Sequence, residues 1–318
     1  MPTVVITGAG GFIGRHVVRE AERRGLTLRL TAHRSEVHPG APGTTVVPAD
    51  LTDPASLRGL CDGADALVHC ASQIGGPEAR CEAVNARGTA ALVAEARRAG
   101  VGRVVHLSTA AVYGRGTFRR ARPQDLDRAP LSATSRTRAA GEDAVLAAGG
   151  TVVRPHLVYG EGDTRVVPAL ARLLRGLPGT VEGWRARVSL IAAEDLAHAL
   201  VAAALAPAER LTAPVYHACH PEPVPWHTVL GAVAGLASVP RPRRDLTLDE
   251  AHAWCRERGV PRHDLDMLVT DHWFDGAPLW AAVDHAPGSF GERFARYENW
   301  YRRTLSPALD SRQCHDRN

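Results

Sequence analysis

The chain has 318 residues, of which 45% are hydrophobic and 23% charged, and a formal net charge of +4. A chain of this length buries a sizeable core, so one large domain or a domain with a smaller lobe is expected, and the composition excludes extended disorder away from the ends. All 38 basic residues are arginine and they are dispersed, which argues against a nucleic-acid-binding face and excludes chemistry that needs a lysine amine.

The abundance of Ala, Gly and Pro with no Lys is the signature of a very GC-rich genome, such as an actinomycete's. Six cysteines (Cys61, Cys70, Cys81, Cys219, Cys255, Cys314) form no CxxC pair, which fits reduced thiols in the cytoplasm. The first apolar run leads into glycines instead of a cleavage site, and no apolar stretch is long and charge-free enough to span a membrane. The expected partner is therefore a small molecule, with no nucleic acid and no membrane, for a monomer or homodimer in the cytoplasm.

In chain order, Thr3–Thr7 reads as a strand and Phe12–Arg24 as an amphipathic helix. Leu26–Ala32 reads as a second strand, Ala66–His69 as a third, Val101–Leu107 as a fourth and Thr151–Arg154 as a fifth. Helical patterns lie between them at Pro77–Arg98 and Ala133–Ala148. Strands alternating with helices at this spacing imply an α/β, Rossmann-like doubly wound parallel sheet. Beyond residue 155 the pattern loosens into helices at Val166–Arg175, Ala193–Leu205 and Leu248–Arg258, with proline-rich links such as Pro240-Arg241-Pro242. The expected division is a dinucleotide-binding domain over 1–155, a mainly substrate-binding lobe over 156–306 with elements returning to the sheet, and a disordered tail over 307–318.

Two features carry chemistry. The first strand runs into Thr7-Gly8-Ala9-Gly10-Gly11-Phe12-Ile13-Gly14, with Gly8, Gly11 and Gly14 spaced GxxGxxG. The first glycine serves the tight turn, the second the close approach of a pyrophosphate and the third close helix packing, with the helix N-terminus pointing at phosphate. The second strand ends Thr31-Ala32-His33-Arg34-Ser35, without the carboxylate that would hold a ribose diol. Arg34 can instead pair with a 2′-phosphate, which favours NADP(H), the alternative being a solvated arginine. Asp50-Leu51 would then lie near the adenine. His217-Ala218-Cys219-His220 follows Pro214-Val215-Tyr216 and reads as a short strand sooner than as a metal site.

These residues, with Val84-Asn85, Gly88-Thr89, Ser108-Thr109, Val112-Tyr113-Gly114, Arg154-Pro155, Val158-Tyr159-Gly160 and Asp195-Leu196-Ala197, resemble the extended short-chain dehydrogenase/reductases, the NAD-dependent epimerase/dehydratase type. The resemblance implies cofactor contacts from Gly8, Gly11, Phe12, Ile13, Gly14, Asp50 and Leu51, from Cys70, Ala71 and Ser72, and from Pro155 and Val158. It implies a catalytic Ser/Thr at Thr109, but places Thr134 where the family has its tyrosine and Arg138 where it has its lysine. Arg138 can still hold ribose hydroxyls, whereas an aliphatic hydroxyl at Thr134 is far too weak an acid to replace a phenol of pKa roughly 10. Tyr113 is a candidate surrogate acid, against a structural place in the Val-Tyr-Gly turn.

A reductase whose proton comes from elsewhere and a non-catalytic NADP(H) sensor both stay open, as does a nucleotide-sugar epimerase or reductase. A ring ketone beside a phenol, as in aromatic polyketides of the angucyclinone type, carries its own acid. Trp226, Trp254, Trp273 and Trp280 could wall such a polycycle or form the lobe's core, and Arg115, Arg119, Arg120 and Arg122 could meet an acidic substituent or water.

Overall fold

The computed structural model describes residues 1–33, 36–37, 40–239, 244–258 and 262–305. Arg34, the Pro240–Pro242 link and the 307–318 tail therefore lie outside the described residues. Seven parallel strands, β1 (Thr3–Thr7), β2 (Thr27–Ala32), β3 (Thr44–Pro48), β4 (Ala66–His69), β5 (Arg103–Leu107), β6 (Thr151–Pro155) and β7 (Val215–Ala218), form one sheet in the order 3-2-1-4-5-6-7. The strand order reverses beside β1, and in such sheets a crevice opens there at the carboxyl ends.

Successive β1 side chains serve opposite faces. Val4 and Ile6 pack with Val17 and Ala21 of the helix Phe12–Arg23 and with Leu196 and Leu200 of the helix Ala193–Leu205. Val5 joins Leu92, Val93 and Ala96 of the helix Thr89–Arg98 and Val145 of the helix Ala133–Ala147. Both faces are covered, which is why the strands read as nearly unbroken apolar runs. The segment after residue 155 thus contributes β7 and the Ala193–Leu205 helix to the core around the parallel sheet. Its remainder builds a second core around Trp226, Val229, Leu230, Leu170 and Tyr301.

Several boundaries depart from the sequence expectation. Val101 is taken from the expected strand because the preceding helix closes with Gly100 at φ +71° and the Val101 N–H on the Ala96 carbonyl at 2.9 Å. The expected helix from Pro77 runs as Glu78–Cys81, a π-helical stretch Glu82–Gly88, and then Thr89–Arg98. Its wide turn lets Asn85 accept from Gln73 N–H at 2.8 Å and donate to the Gln73 carbonyl at 2.9 Å and to Thr137 at 3.0 Å. Finally, the arginine-bearing segment contains the strand Phe118–Ala121, which pairs with His272–Phe274 and draws the second lobe over the ends of β5 and β6.

Four of the expected lobe tryptophans are accounted for. Trp226 and Trp280 are core residues, their indole N–H groups donating to the Met267 and Cys219 carbonyls, and Trp254 lies under Arg258. Trp273 is half-buried on the strand that meets Phe118–Ala121. Arg119 pairs with Asp271 and Arg122 with Asp125. His217 and His220 point to different tyrosines, Tyr113 and Tyr159, and no cluster able to hold a metal occurs among the described residues. Among the same residues no helix is long and apolar enough to cross a membrane.

Burial holds His69 and His217 down to about 3 and His272 to about 4, from an ordinary 6.5. These rings are neutral in the folded chain and charge when it unfolds, so their contribution to stability is intact above about pH 6.5 and is lost as pH falls toward 4. The loss approaches about 1.4 kcal/mol per pH unit per histidine. The urea midpoint is therefore expected to drop clearly between pH 7.5 and pH 5.5, before carboxylates titrate. An unchanged midpoint over that range would show that these rings are not held neutral.

Candidate active site

At the end of β1 the chain turns so tightly that side chains are excluded. Gly8 adopts φ +70°, and a Cβ there would lie 2.7 Å from Ala71 N. A Cβ on Gly14 would come within 1.9 Å of the Gly8 carbonyl oxygen. Gly11 caps the following helix without a side-chain hydrogen bond, leaving its first N–H groups available to an anion. A cleft of about 520 Å³ runs from this cradle along the carboxyl edge of the sheet.

One end of the cleft is formed by Gly8, Gly11, Phe12, Ile13 and Gly14, and its floor by Cys70, Ala71 and Ser72 after β4. Asp50 and Leu51 line it beyond β3, with His33 3.0 Å from the Asp50 carboxylate. Hydrogen bonds from the Thr52 N–H and hydroxyl hold that carboxyl below its ordinary range. Arg80 also lines this end, its Nε buried without a hydrogen-bond partner among the described residues. Sequence reasoning missed Arg80, since a single arginine on an amphipathic helix reads as a surface charge.

At the other end stand Thr109, Arg138, Pro155, His156 and Val158. Thr109 Oγ1 accepts from the Ala111 N–H at 3.1 Å, which leaves its own hydrogen free to donate into the cleft. Arg138 donates from Nη2 to the Leu107 carbonyl at 2.6 Å, while its Nε has no partner among the described residues. Burial lowers the guanidinium to about 10, so it stays charged at neutral pH, and burial pushes the Cys70 thiol up to about 12, so it stays neutral. A cradle that a Cβ would fill and an arginine donor lacking an acceptor fit a nicotinamide dinucleotide.

Thr134 and Tyr113 are not brought to the cleft. Thr134 lies one turn before Arg138, where its Oγ1 accepts from the Gly75 N–H at 2.9 Å and so ties down the loop after Ser72. Tyr113 is buried under the site. Its hydroxyl accepts from Arg154 Nη1 at 2.7 Å and lies 2.7 Å from His217 Nε2, and burial raises its pKa. Glu142, wholly buried, accepts from Arg154 Nε at 2.9 Å, from Arg154 Nη2 and from the Ser108 hydroxyl. The surrogate-acid role considered for Tyr113 meets a geometry that turns its hydroxyl into this internal network.

The NAD dependent epimerase/dehydratase family matches residues 4–219. The 2-alkyl-3-oxoalkanoate reductase of Stenotrophomonas maltophilia is 29% identical over 316 residues, covering 89% of this chain and 94% of the relative. The ceramide reductase of Caulobacter vibrioides is 31% identical over 328 residues, covering 94% of each. Among solved structures, the Bordetella bronchiseptica enzyme WbmH in complex with NAD+ superposes with a TM-score of 0.66 at 26% identity, over 77% of this chain and 86% of that one. With the glycine cradle, the reversed strand order and a family match across two thirds of its length, this chain belongs to the NAD dependent epimerase/dehydratase family.

Proposed function

We propose that the protein is an NADPH-dependent ketoreductase that reduces a ring ketone of an aromatic polyketide of the angucyclinone type, with the proton supplied by the substrate's own phenol. The observation that carries this reading is the composition of the catalytic end of the cleft. It keeps a polarising hydroxyl, Thr109, and a ribose-holding cation, Arg138, yet offers no phenol, because Thr134 occupies the tyrosine position and Tyr113 is turned inward. A sensor has no need of the Thr109 hydroxyl. In this missing tyrosine the chain resembles the angucyclinone ketoreductase of simocyclinone biosynthesis, and both curated relatives described above are reductases.

Bound NADPH would supply the hydride. The protein's part is to hold the dinucleotide at Gly8, Gly11 and Gly14, fix its ribose with Arg138, and polarise the ketone through Thr109. A ketone flanked by a peri hydroxyl then has an acid of phenolic pKa already bonded to its oxygen, which makes a side-chain acid unnecessary. The preference for NADPH rests on the sequence Thr31-Ala32-His33-Arg34-Ser35, which offers an arginine and no carboxylate, and on Arg80, which lines the cleft.

Binding and turnover test this separately. Arg138→Met is expected to weaken NADPH binding by roughly tenfold or more, the cost of a lost charge-assisted hydrogen bond, with an unchanged circular dichroism spectrum. Isothermal titration reads that loss, and wild-type affinity in the variant would remove Arg138 from the ribose site. In turnover, a peri-hydroxy quinone is expected to oxidise NADPH, while its methyl ether reacts on the order of 10²–10⁴ more slowly. Thr134→Val and Tyr113→Phe are expected to keep substantial activity. Turnover of nucleotide sugars instead would favour an epimerase-like activity, silence towards all carbonyls a sensor, and an inactive Tyr113→Phe that still binds both ligands would overturn the substrate-derived proton.

A further inference from the structure

We propose that His156 is the second hydrogen-bond donor to the ketone oxygen, completing with the Thr109 hydroxyl a two-donor oxyanion site. The proposal rests on the ketoreductase reading and adds to it the group that carries the carbonyl oxygen in place of the missing phenol.

Placement comes from the sheet. β5 and β6 are parallel neighbours with Leu107 opposite Val153, and the Ser108 N–H donates to the Val153 carbonyl at 2.8 Å. Thr109 and His156 therefore leave adjacent strand ends one residue or so further on, and both line the cleft that holds Arg138. The imidazole is held flat against His272, with ring centroids 4.4 Å apart and an angle of 20°, and lies edge-on to Phe274 at 5.8 Å. Rotation of the ring is thus restricted by two aromatic residues that the second lobe delivers.

Polarity then asks for a ligand. Nε2 of His156 is buried without a hydrogen-bond partner among the described residues, and the ring makes no other hydrogen bond there, so the donor that a ligand in the cleft can reach is an N–H on Nδ1. An unmet buried polar atom costs about 1–3 kcal/mol, and a phenylalanine would fill this aromatic wall without that cost. Burial, with His272 and His217 nearby, holds the ring well below its ordinary pKa, so at neutral pH it is an uncharged imidazole with one N–H. Such a ring is a poor source of a proton but a good fixed donor, which stabilises charge as it develops on oxygen without losing its hydrogen.

The step balances with the substrate's phenol. The carbonyl carbon gains hydride from reduced nicotinamide, and the C=O π pair moves to the oxygen held by Thr109 and His156. That oxygen takes the phenol's proton, and water returns a proton to the phenolate. The ketone is reduced to the alcohol and the nicotinamide oxidised, with His156 protonated as before.

The test uses the full chain with a peri-hydroxy quinone carrying ¹³C at the carbonyl. In the unreactive complex with NADP+, the infrared carbonyl band is expected well below its position in the free quinone. His156→Phe, which keeps the stack, should return the band part of the way to the free position and lower kcat on the order of 10²-fold, leaving NADPH affinity within about threefold. His156→Gln should recover part of both effects, and it keeps the test informative where the phenylalanine variant does not fold. Wild-type kcat and band position in a folded His156→Phe would overturn the donor assignment alone. A wild-type protein that binds no carbonyl compound would overturn the ketoreductase reading and this proposal with it.

Discussion

The site depends on one buried carboxylate. Glu142 sits at zero exposure one turn along the helix from Arg138, and it accepts from Ser108 on the β5 side and from Arg154 on the β6 side. Each of those residues is next to, or two before, a residue that faces the cleft: Thr109 and His156. A single side chain thereby sets the helix and both strand ends in one register. A buried charge with fewer partners would be too costly to keep, and removing either member of the Glu142–Arg154 pair strands the other, a penalty of about 3–5 kcal/mol. Tyr113 belongs to this arrangement, passing the Arg154 contact on to His217 of β7.

That placement explains why the two hydroxyls nearest to the expected acid contribute none. Tyr113 completes the partners of Arg154, and its release into the cleft would leave a guanidinium donor and His217 unmet. Thr134 is bound to the backbone of Gly75, in a loop whose glycines at φ +73° and +83° have little structure of their own. Thr134 thereby fastens the loop beside Ser72 and Gln73.

Local signals made much of this legible before the fold was known. The glycine spacing between a strand and a helix located the cradle, and the residues after β4 and β6 that the family resemblance implied do line the cleft. Signals of longer range were silent. Burial of Tyr113 follows from Arg154 and His217, 41 and 104 residues away, and nothing in Val-Tyr-Gly announces them. The π-helical stretch was hidden because its extra residue is absorbed without breaking the apolar pattern. His156 follows an Arg-Pro pair at a position that reads as loop, and only the arrival of His272 gives its ring a fixed direction. The tryptophans left both readings open, since large aromatic side chains gather in a lobe's core as readily as around a ligand.

The two halves of the chain consequently divide the labour unequally. The glycine cradle comes from the first strand and the helix after it, where the glycines admit no side chain and leave little room for change, while Arg80 and Arg138 reach the cleft from later helices. The wall behind His156 is assembled across the chain, Phe118–Ala121 pairing with His272–Phe274 and the His156 ring stacking on His272. A change in that second strand can reshape the wall and turn the His156 ring without touching the cradle or the Glu142 network.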